Sequence, residues 1–91
     1  MVSFGKRQEK EGAWGAQHDM RFLILHNDDV NTFDHVINTL KEVCRHNDEQ
    51  AEQCAIITHY KGKCDIKKGH IDELLPMHER LVERELSVTI D

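Results

Sequence analysis

One short stretch, residues 23–33, limits the possible folds of this chain more than any other. An apolar run from Leu23 to Leu25 leads into His26 and then Asn27-Asp28-Asp29, and Asn31 or Thr32 can cap a helix that begins near Phe33. Alternate side chains of a strand point to opposite faces of the sheet. The stretch therefore predicts a strand followed directly by a helix, with three polar side chains at the corner between them.

The chemistry of this corner is open to two interpretations. Carboxylates and an amide next to apolar side chains suit a cation with a hydrophobic neighbour, such as an ammonium group attached to a hydrophobic side chain. Asn and Asp also favour ordinary solvated turns for local reasons. The triplet Asn27-Asp28-Asp29 alone favours the turn, so the decision depends on the rest of the chain.

Size and charge exclude several classes of protein. A chain of 91 residues fits one small domain with a thin core. The net charge of −5 argues against nucleic acid as a partner, because phosphate binding needs a basic face. No apolar run reaches the roughly 18 residues of a membrane span, and the N-terminus lacks the apolar block of a secretion signal. We therefore expect neither a nucleic-acid nor a membrane partner.

The cysteine and histidine patterns favour neither a metal site nor an enzyme. Cys44, Cys54 and Cys64 form no CxxC pair and are interpreted as reduced thiols of a cytoplasmic protein. The seven histidines show no zinc-ligand spacing. The sequence contains no recognisable nucleophile context, phosphate loop or serine elbow. We expect no metal, no cofactor and no catalytic activity.

Apolar periodicity divides the chain into a tail and a domain. Residues 1–20 show no apolar period and are predicted to be a flexible N-terminal extension, followed by one domain over 21–91. Its predicted elements are a strand over 22–26, a helix over 32–46, a helix from Asn47 or Asp48 to Lys61, a weak strand over 63–67, a helix opened by Gly69, and a strand over 86–90. The order β-α-α-β-α-β predicts an α+β domain in which three helices pack on a small, antiparallel, three-stranded sheet.

Two residues in the helices need separate treatment. Pro76 lies within the third helical pattern and has no amide hydrogen, so that helix either begins near Leu75 or is kinked there. His59 ends the apolar stripe of the second helix. A lone histidine there is more often a core-edge residue than a ligand, but beside Asn27 and Asp28 its imidazole would complete a set of groups able to bind an ammonium.

Together these residues resemble the ClpS family, the adaptors of the bacterial ClpA–ClpP protease. The resemblance covers about residues 20–91 and rests on the strand into Asn27-Asp28-Asp29, the run His59-Tyr60-Lys61-Gly62-Lys63, and the closing strand 86–90. The polar corner and His-x-x-Gly-Lys at this separation are fairly specific as a pair, whereas either alone is not.

The resemblance implies a monomeric, non-enzymatic, cytoplasmic adaptor with a fold similar to the C-terminal domain of ribosomal L7/L12. Such an adaptor binds the free α-amino group and large hydrophobic N-terminal residue of substrate proteins. It delivers them to ClpA–ClpP by docking on the N-terminal domain of the ClpA-type AAA+ unfoldase. Two alternatives stay open: a regulator that docks on the unfoldase without presenting such substrates, and an L7/L12-like structural interaction domain.

The resemblance also assigns residues by position. The contacts to the α-amino group fall on Asn27, Asp28 and His59. The pocket for the first side chain falls on Leu25, Asp29, Asn31, Phe33, Ala55, Thr58 and Leu86. Partner docking falls on His70 and Leu75, where the family has Glu and Lys.

The chain departs from the family pattern inside the predicted pocket. Most relatives have methionine at the positions of Phe33 and Ala55, and Tyr-Thr-Pro where this chain has Val30-Asn31-Thr32. The smaller Ala55 removes carbon atoms from one side of the pocket, while Phe33 adds bulk on another. We expect these changes to favour aromatic N-terminal residues over leucine.

Overall fold

The computed structural model describes residues 20–91, which form a three-stranded sheet and three helices. In chain order the elements are β1 (Met20–His26), α1 (Phe33–Cys44), α2 (Asp48–Lys61), β2 (Lys63–His70), α3 (Ile71–Glu83) and β3 (Ser87–Ile90). The strands are antiparallel in the order β2-β1-β3. The predicted α+β class and the order β-α-α-β-α-β are confirmed. Residues 1–19 of the predicted extension lie outside the described residues, and Met20 already belongs to β1.

Strand β1 is the centre of the sheet and carries the polar corner at its end. It pairs with β2 over Met20–His26 and with β3 over its second half, from Leu23 to His26. The next residue, Asn27, donates its backbone N–H to the carbonyl of Gly62 at 2.9 Å. The loop that follows β1 therefore leaves from a strand end that is held on both sides.

Strand β2 is longer than predicted. A β-bulge interrupts the alternation of buried and exposed residues by which a strand is recognised in a sequence. The partners of Leu23 and Ile24 are Lys67 and Asp65, so Ile66 is an extra residue on β2. The buried residues Ile66 and Gly69 are consequently three positions apart rather than two. A strict alternation of apolar and polar residues is therefore absent, and the prediction of a weak strand over 63–67 was too short.

Gly69 belongs to β2 and does not open the third helix as predicted. A side chain at this position would collide with Glu73, since a Cβ atom on Gly69 would lie 2.7 Å from Glu73 Oε1. That same carboxylate oxygen accepts the backbone N–H of His70 at 3.2 Å and so satisfies a donor at the start of α3. A side chain at position 69 would therefore displace this capping carboxylate, and the helix begins two residues later at Ile71.

Helix α3 contains Pro76 in its interior. It spans Ile71–Glu83 with Pro76 inside, so the alternative that the helix begins near Leu75 was wrong. Pro76 lacks an N–H, so the carbonyl of Asp72 has no intrahelical donor four residues further on.

Helix α1 is bounded by a side-chain cap and a left-handed residue. The hydroxyl of Thr32 accepts the backbone N–H of His35 at 3.1 Å, which makes Thr32 the cap of the two predicted candidates. The helix ends at Cys44, two residues earlier than predicted, because Arg45 adopts a left-handed conformation with φ of 61°.

Helix α2 begins and ends as its sequence signals predict. The side chain of Asn47 accepts the backbone N–H of Gln50 at 2.7 Å. Gly62 follows the last helical residue with a φ of 93°, a conformation that side chains other than glycine rarely adopt.

All six elements contribute to one core. Its largest fully buried side chains are Leu23, Leu25, Leu40, Leu74 and Leu81. The core residues of the other elements pack around β1, and the loop that follows β1 lies at the edge of the core. Within residues 20–91, no helix has the length and apolar character required to cross a membrane.

Candidate functional site

An open cavity of about 320 Å³ lies where the loop after β1, the start of α1, the last turns of α2 and the turn before β3 meet. Its lining residues are Leu25, His26, Asn27, Asp28, Asp29, Asn31, Thr32, Phe33, Val36, Ala55, Thr58, His59 and Leu86. The size is at the lower end of the range for small-ligand pockets.

The cavity brings together the ten residues predicted for peptide binding. These are Asn27, Asp28, His59, Leu25, Asp29, Asn31, Phe33, Ala55, Thr58 and Leu86. They come from segments that are far apart in the sequence, so their proximity is a property of the fold.

Three lining residues were not predicted, namely His26, Thr32 and Val36. Val36 lies one helical turn after Phe33, so the helical period of α1 would have identified it.

The two residues predicted for partner docking do not line the cavity. His70 is the N-cap of α3, and Leu75 lies on α3 with half of its surface exposed.

The Asp28 carboxylate is held at the cavity by hydrogen bonds from its own loop. Its Oδ1 accepts the backbone N–H groups of Val30 and Asn31, both at 3.0 Å. The side-chain amide of Asn31 donates to Oδ2 at 3.0 Å, and the hydroxyl of Ser87 lies 3.5 Å from Oδ2. Burial raises the pKa of Asp28, but the hydrogen bonds outweigh it, so the net pKa lies below its ordinary value. The cavity therefore contains a fixed negative charge at neutral pH.

An imidazole also lines the cavity. His59 is on the last turn of α2, and its ring centre is 5.5 Å from that of Phe33 and 5.0 Å from that of Tyr60. Among residues 20–91, no protein group forms a hydrogen bond with the His59 ring. The His59 side chain is exposed and lies at the mouth of the cavity.

The remaining surface of the cavity is largely apolar. Leu25, Ala55 and Leu86 are each less than 5% exposed and form its floor. Thr58 is also buried, and its hydroxyl donates to the carbonyl of Cys54 at 2.7 Å, so that polar group is already satisfied. Phe33 remains 45% exposed at the rim. One side of the cavity is thus charged and polar, and the other is hydrophobic.

The fold and the cavity define a small α+β domain chemically suited to a ligand that has an ammonium group beside a hydrophobic group. In the described part of the chain, no three His, Cys, Asp or Glu side chains are arranged to hold a metal ion.

Comparison with known proteins identifies the family. The model of the family described as ATP-dependent Clp protease adaptor protein ClpS matches residues 16–89, and the chain belongs to this family. The predicted resemblance is thereby confirmed. The structure is also similar to that of Agrobacterium tumefaciens ClpS2 bound to L-phenylalaninamide, with a TM-score of 0.73 and 20% identity over 80% of this chain and 95% of that chain. This likeness shows the fold. No curated protein matches the sequence at a significant level.

Proposed function

We propose that this protein is a protease adaptor that binds the free α-amino group and the large hydrophobic N-terminal residue of substrate proteins and delivers them to ClpA–ClpP. The observation that carries the proposal is the cavity itself. It places the Asp28 carboxylate and the His59 imidazole around a floor of Leu25, Ala55 and Leu86. A peptide N-terminus whose first residue is hydrophobic has the matching pair of groups.

The α-amino group would bind between Asn27, Asp28 and His59. Its three N–H donors match a carboxylate oxygen, an amide oxygen and an imidazole nitrogen. The carboxylate supplies the opposite charge, and its lowered pKa keeps that charge at neutral pH. Internal peptide bonds lack an ammonium, so the site would select chain ends over chain interiors.

The first side chain would enter the apolar part of the cavity. L-Phenylalaninamide, the ligand bound to Agrobacterium tumefaciens ClpS2, has a free α-amino group and a benzyl side chain. These are the two groups that the cavity suits, which supports the same class of ligand for this protein.

Delivery is the second half of the proposal. Membership of a Clp protease adaptor family supports a partnership with a ClpA-type unfoldase through its N-terminal domain. We place the docking surface on α3 around His70 and Leu75, because Leu75 is 50% exposed and lies away from the cavity. In this role the protein is a monomeric cytoplasmic adaptor without catalytic activity of its own.

Binding is tested by calorimetry with L-phenylalaninamide and its N-acetyl derivative. The two compounds share the benzyl group and differ in the ammonium. Loss of a charged hydrogen bond costs about 1.5–3 kcal/mol, so acetylation should weaken binding roughly tenfold or more. Equal affinity for the two compounds would show that the polar corner is an ordinary turn and would contradict the proposal.

Delivery is tested with a fluorescent substrate that begins with phenylalanine. The protein should accelerate its degradation by ClpA–ClpP, and a matched substrate that begins with alanine should be unaffected. Peptide binding without acceleration would refute the delivery role. If the protein instead changed ClpA–ClpP activity without binding L-phenylalaninamide, the alternative of a docking regulator would be favoured.

A further inference from the structure

The side-chain amide of Asn31 joins two segments that border the cavity. Its Nδ2 atom lies 3.0 Å from Oδ2 and 3.2 Å from Oδ1 of Asp28, and 2.8 Å from the carbonyl oxygen of Glu85. An NH₂ group has two N–H donors. One is shared by the two carboxylate oxygens, and the other is directed at the carbonyl of Glu85.

The Glu85 carbonyl belongs to a turn with an uncommon conformation. Glu85 has a φ of 69°, in the left-handed region that residues other than glycine rarely occupy. The next residue, Leu86, is 3% exposed and forms part of the cavity floor. A hydrogen bond to the Glu85 carbonyl therefore fixes the turn that positions this part of the floor.

We propose that Asn31 is a positioning residue: its amide sets the direction of the Asp28 carboxylate and its distance from the Leu86 floor. The resemblance places this residue in the pocket for the first side chain, whereas its contacts lead to the amino-group site. This role rests on the proposed function, since it concerns the same site.

The arrangement also distinguishes the two oxygens of Asp28. Oδ1 accepts the backbone N–H groups of Val30 and Asn31 and is also within reach of the Asn31 amide. Oδ2 has the Asn31 amide at 3.0 Å and only the distant hydroxyl of Ser87 at 3.5 Å. Oδ2 therefore retains more acceptor capacity, and it is the oxygen that would accept an ammonium N–H.

Other titratable groups on the segments around the cavity form no hydrogen bond to this carboxylate in the described part of the chain. They come from its own loop, β1, α1, α2 and the turn before β3. These groups are Asp29, His26, Asp34, His35, His59 and Glu85. The pKa of Asp28 therefore depends on its burial, which raises it, and on its hydrogen-bond donors, which lower it.

The first test measures the pKa of Asp28 by NMR titration of its carboxyl carbon in the free protein. In Asn31→Ala the pKa should rise towards the ordinary value of an aspartic acid, because side-chain donors to the charged form are lost. Asn31→Ser has a single O–H donor and should give an intermediate pKa. Asn38→Ala changes an exposed residue of the same type on α1 and should leave the pKa unaltered.

The second test measures affinity for L-phenylalaninamide by calorimetry. Asn31→Ala should weaken binding about tenfold, the value of one hydrogen bond to a charged group. In an Asp28→Asn background the same substitution should have a much smaller effect, because a residue that acts through Asp28 loses its role with that charge. A residue that only stabilised the fold would weaken binding equally in both backgrounds.

The outcomes separate this inference from the proposed function. An unchanged Asp28 pKa in folded Asn31→Ala would overturn the positioning role, even if the wild type binds the ligand. A raised pKa together with no binding by the wild type would support the positioning role and refute the proposed function. If Asn31→Ala does not fold, the pKa and affinity of Asn31→Ser decide the matter, and values equal to those of the wild type would overturn the inference.

Discussion

Asp28 and His59 differ in how firmly the protein holds them. The Asp28 carboxylate accepts hydrogen bonds from backbone and side-chain donors of its own loop, whereas His59 is exposed and, within residues 20–91, forms no hydrogen bond through its ring, which lies beside Phe33 and Tyr60. The negative charge is thus fixed before a ligand arrives, and the imidazole is left free to donate or accept.

Removal of either group should abolish or greatly weaken binding of L-phenylalaninamide. Asp28→Asn keeps the shape of the side chain and removes its charge, and His59→Ala removes the imidazole. Each should reduce affinity about tenfold to a hundredfold, the cost of one lost charged hydrogen bond, as measured by calorimetry.

Two exposed residues serve as controls for these variants. Asp65→Asn makes the same chemical change on β2, and Glu52→Ala changes an exposed position on α2. Both should bind the ligand like the wild type. Wild-type affinity in Asp28→Asn or His59→Ala would remove the basis of the amino-group site.

The three thiols should differ in reactivity. Burial raises the pKa of Cys44 to about 11, and burial with the adjacent thiol of Cys64 raises the pKa of Cys54 to about 12. Alkylation requires the thiolate. In the native protein at pH 8, iodoacetamide should therefore modify only the half-buried Cys64, as read by mass spectrometry of peptides. Denaturant should make all three react, and rapid native modification of Cys44 would contradict the buried assignment.

At the residue scale, the sequence shows which side chains are present but not the bonds they form. The cavity contains all ten residues that the resemblance assigned to peptide binding, but not His70 and Leu75, which it assigned to docking. The bond from Asn31 to the Glu85 carbonyl joins positions 54 residues apart, so no local pattern could indicate it. The left-handed backbone of Glu85 was equally hidden, because glutamate is not a residue type that signals such a turn.

At the scale of elements, α2 sets the width of the cavity through Ala55. Ala55→Met should restore bulk to the floor and shift preference from phenylalanine towards leucine. Each buried CH₂ is worth about 0.8 kcal/mol, so the ratio of the two peptide affinities should change roughly tenfold. Calorimetry with peptides that begin with Phe or Leu measures this ratio.

Gln53→Met introduces the same side chain at an exposed position of α2 and is the matched control. It should leave the ratio unaltered. In the wild type, aromatic N-terminal residues should bind at least as well as leucine. A tenfold preference for leucine would show that Phe33 and Ala55 do not set the preference.

The proline in α3 should cost stability. Pro76→Ala would supply the N–H that the carbonyl of Asp72 lacks, and a proline within a helix costs about 3 kcal/mol relative to alanine. Proline also restricts the unfolded chain, which offsets part of that gain. We expect the free energy of unfolding in urea to rise by about 1–2 kcal/mol. Glu79→Ala, an exposed change on the same helix, should alter it by less than about 0.5 kcal/mol.

An element could be predicted when its sequence signals are local, and not when they depend on contacts with distant residues. Helices α1 and α2 were predicted well because their caps, Thr32 and Asn47, are local signals. Strand β2 was underestimated because its bulge at Ile66 depends on pairing with β1. The role of Gly69 was also missed, because this glycine makes room for the carboxylate of Glu73 and does not form a turn.

At the scale of the whole molecule, binding and delivery should be separable. Among residues 20–91, those that line the cavity lie between Leu25 and Leu86, beyond the predicted extension. Deletion of residues 2–17 should therefore leave the affinity for L-phenylalaninamide unchanged. We predict that the extension serves delivery, so the deletion should weaken the degradation by ClpA–ClpP of a substrate that begins with phenylalanine.

A replacement of residues 2–17 by a Gly/Ser linker of equal length tests whether composition or length matters. If the linker restores degradation, the tail acts only as a spacer. A large loss of ligand affinity in the deletion variant would contradict the separation of the two roles.

The central position of β1 has a consequence for the order of folding. The strand that leads into the site is synthesised before the other elements of the domain, yet both of its partners come later, and His26 bonds to Thr89 across 63 residues. Such distant pairings close slowly because long loops must be ordered first. On the ribosome, β1 can pair with β2 first, but the edge formed by Leu23–His26 stays without its second partner until β3 has emerged from the exit tunnel. The cavity, whose lining includes Leu86, is therefore complete only after β3 has emerged, and a chain that stalls before this point would expose one edge of its central strand to aggregation.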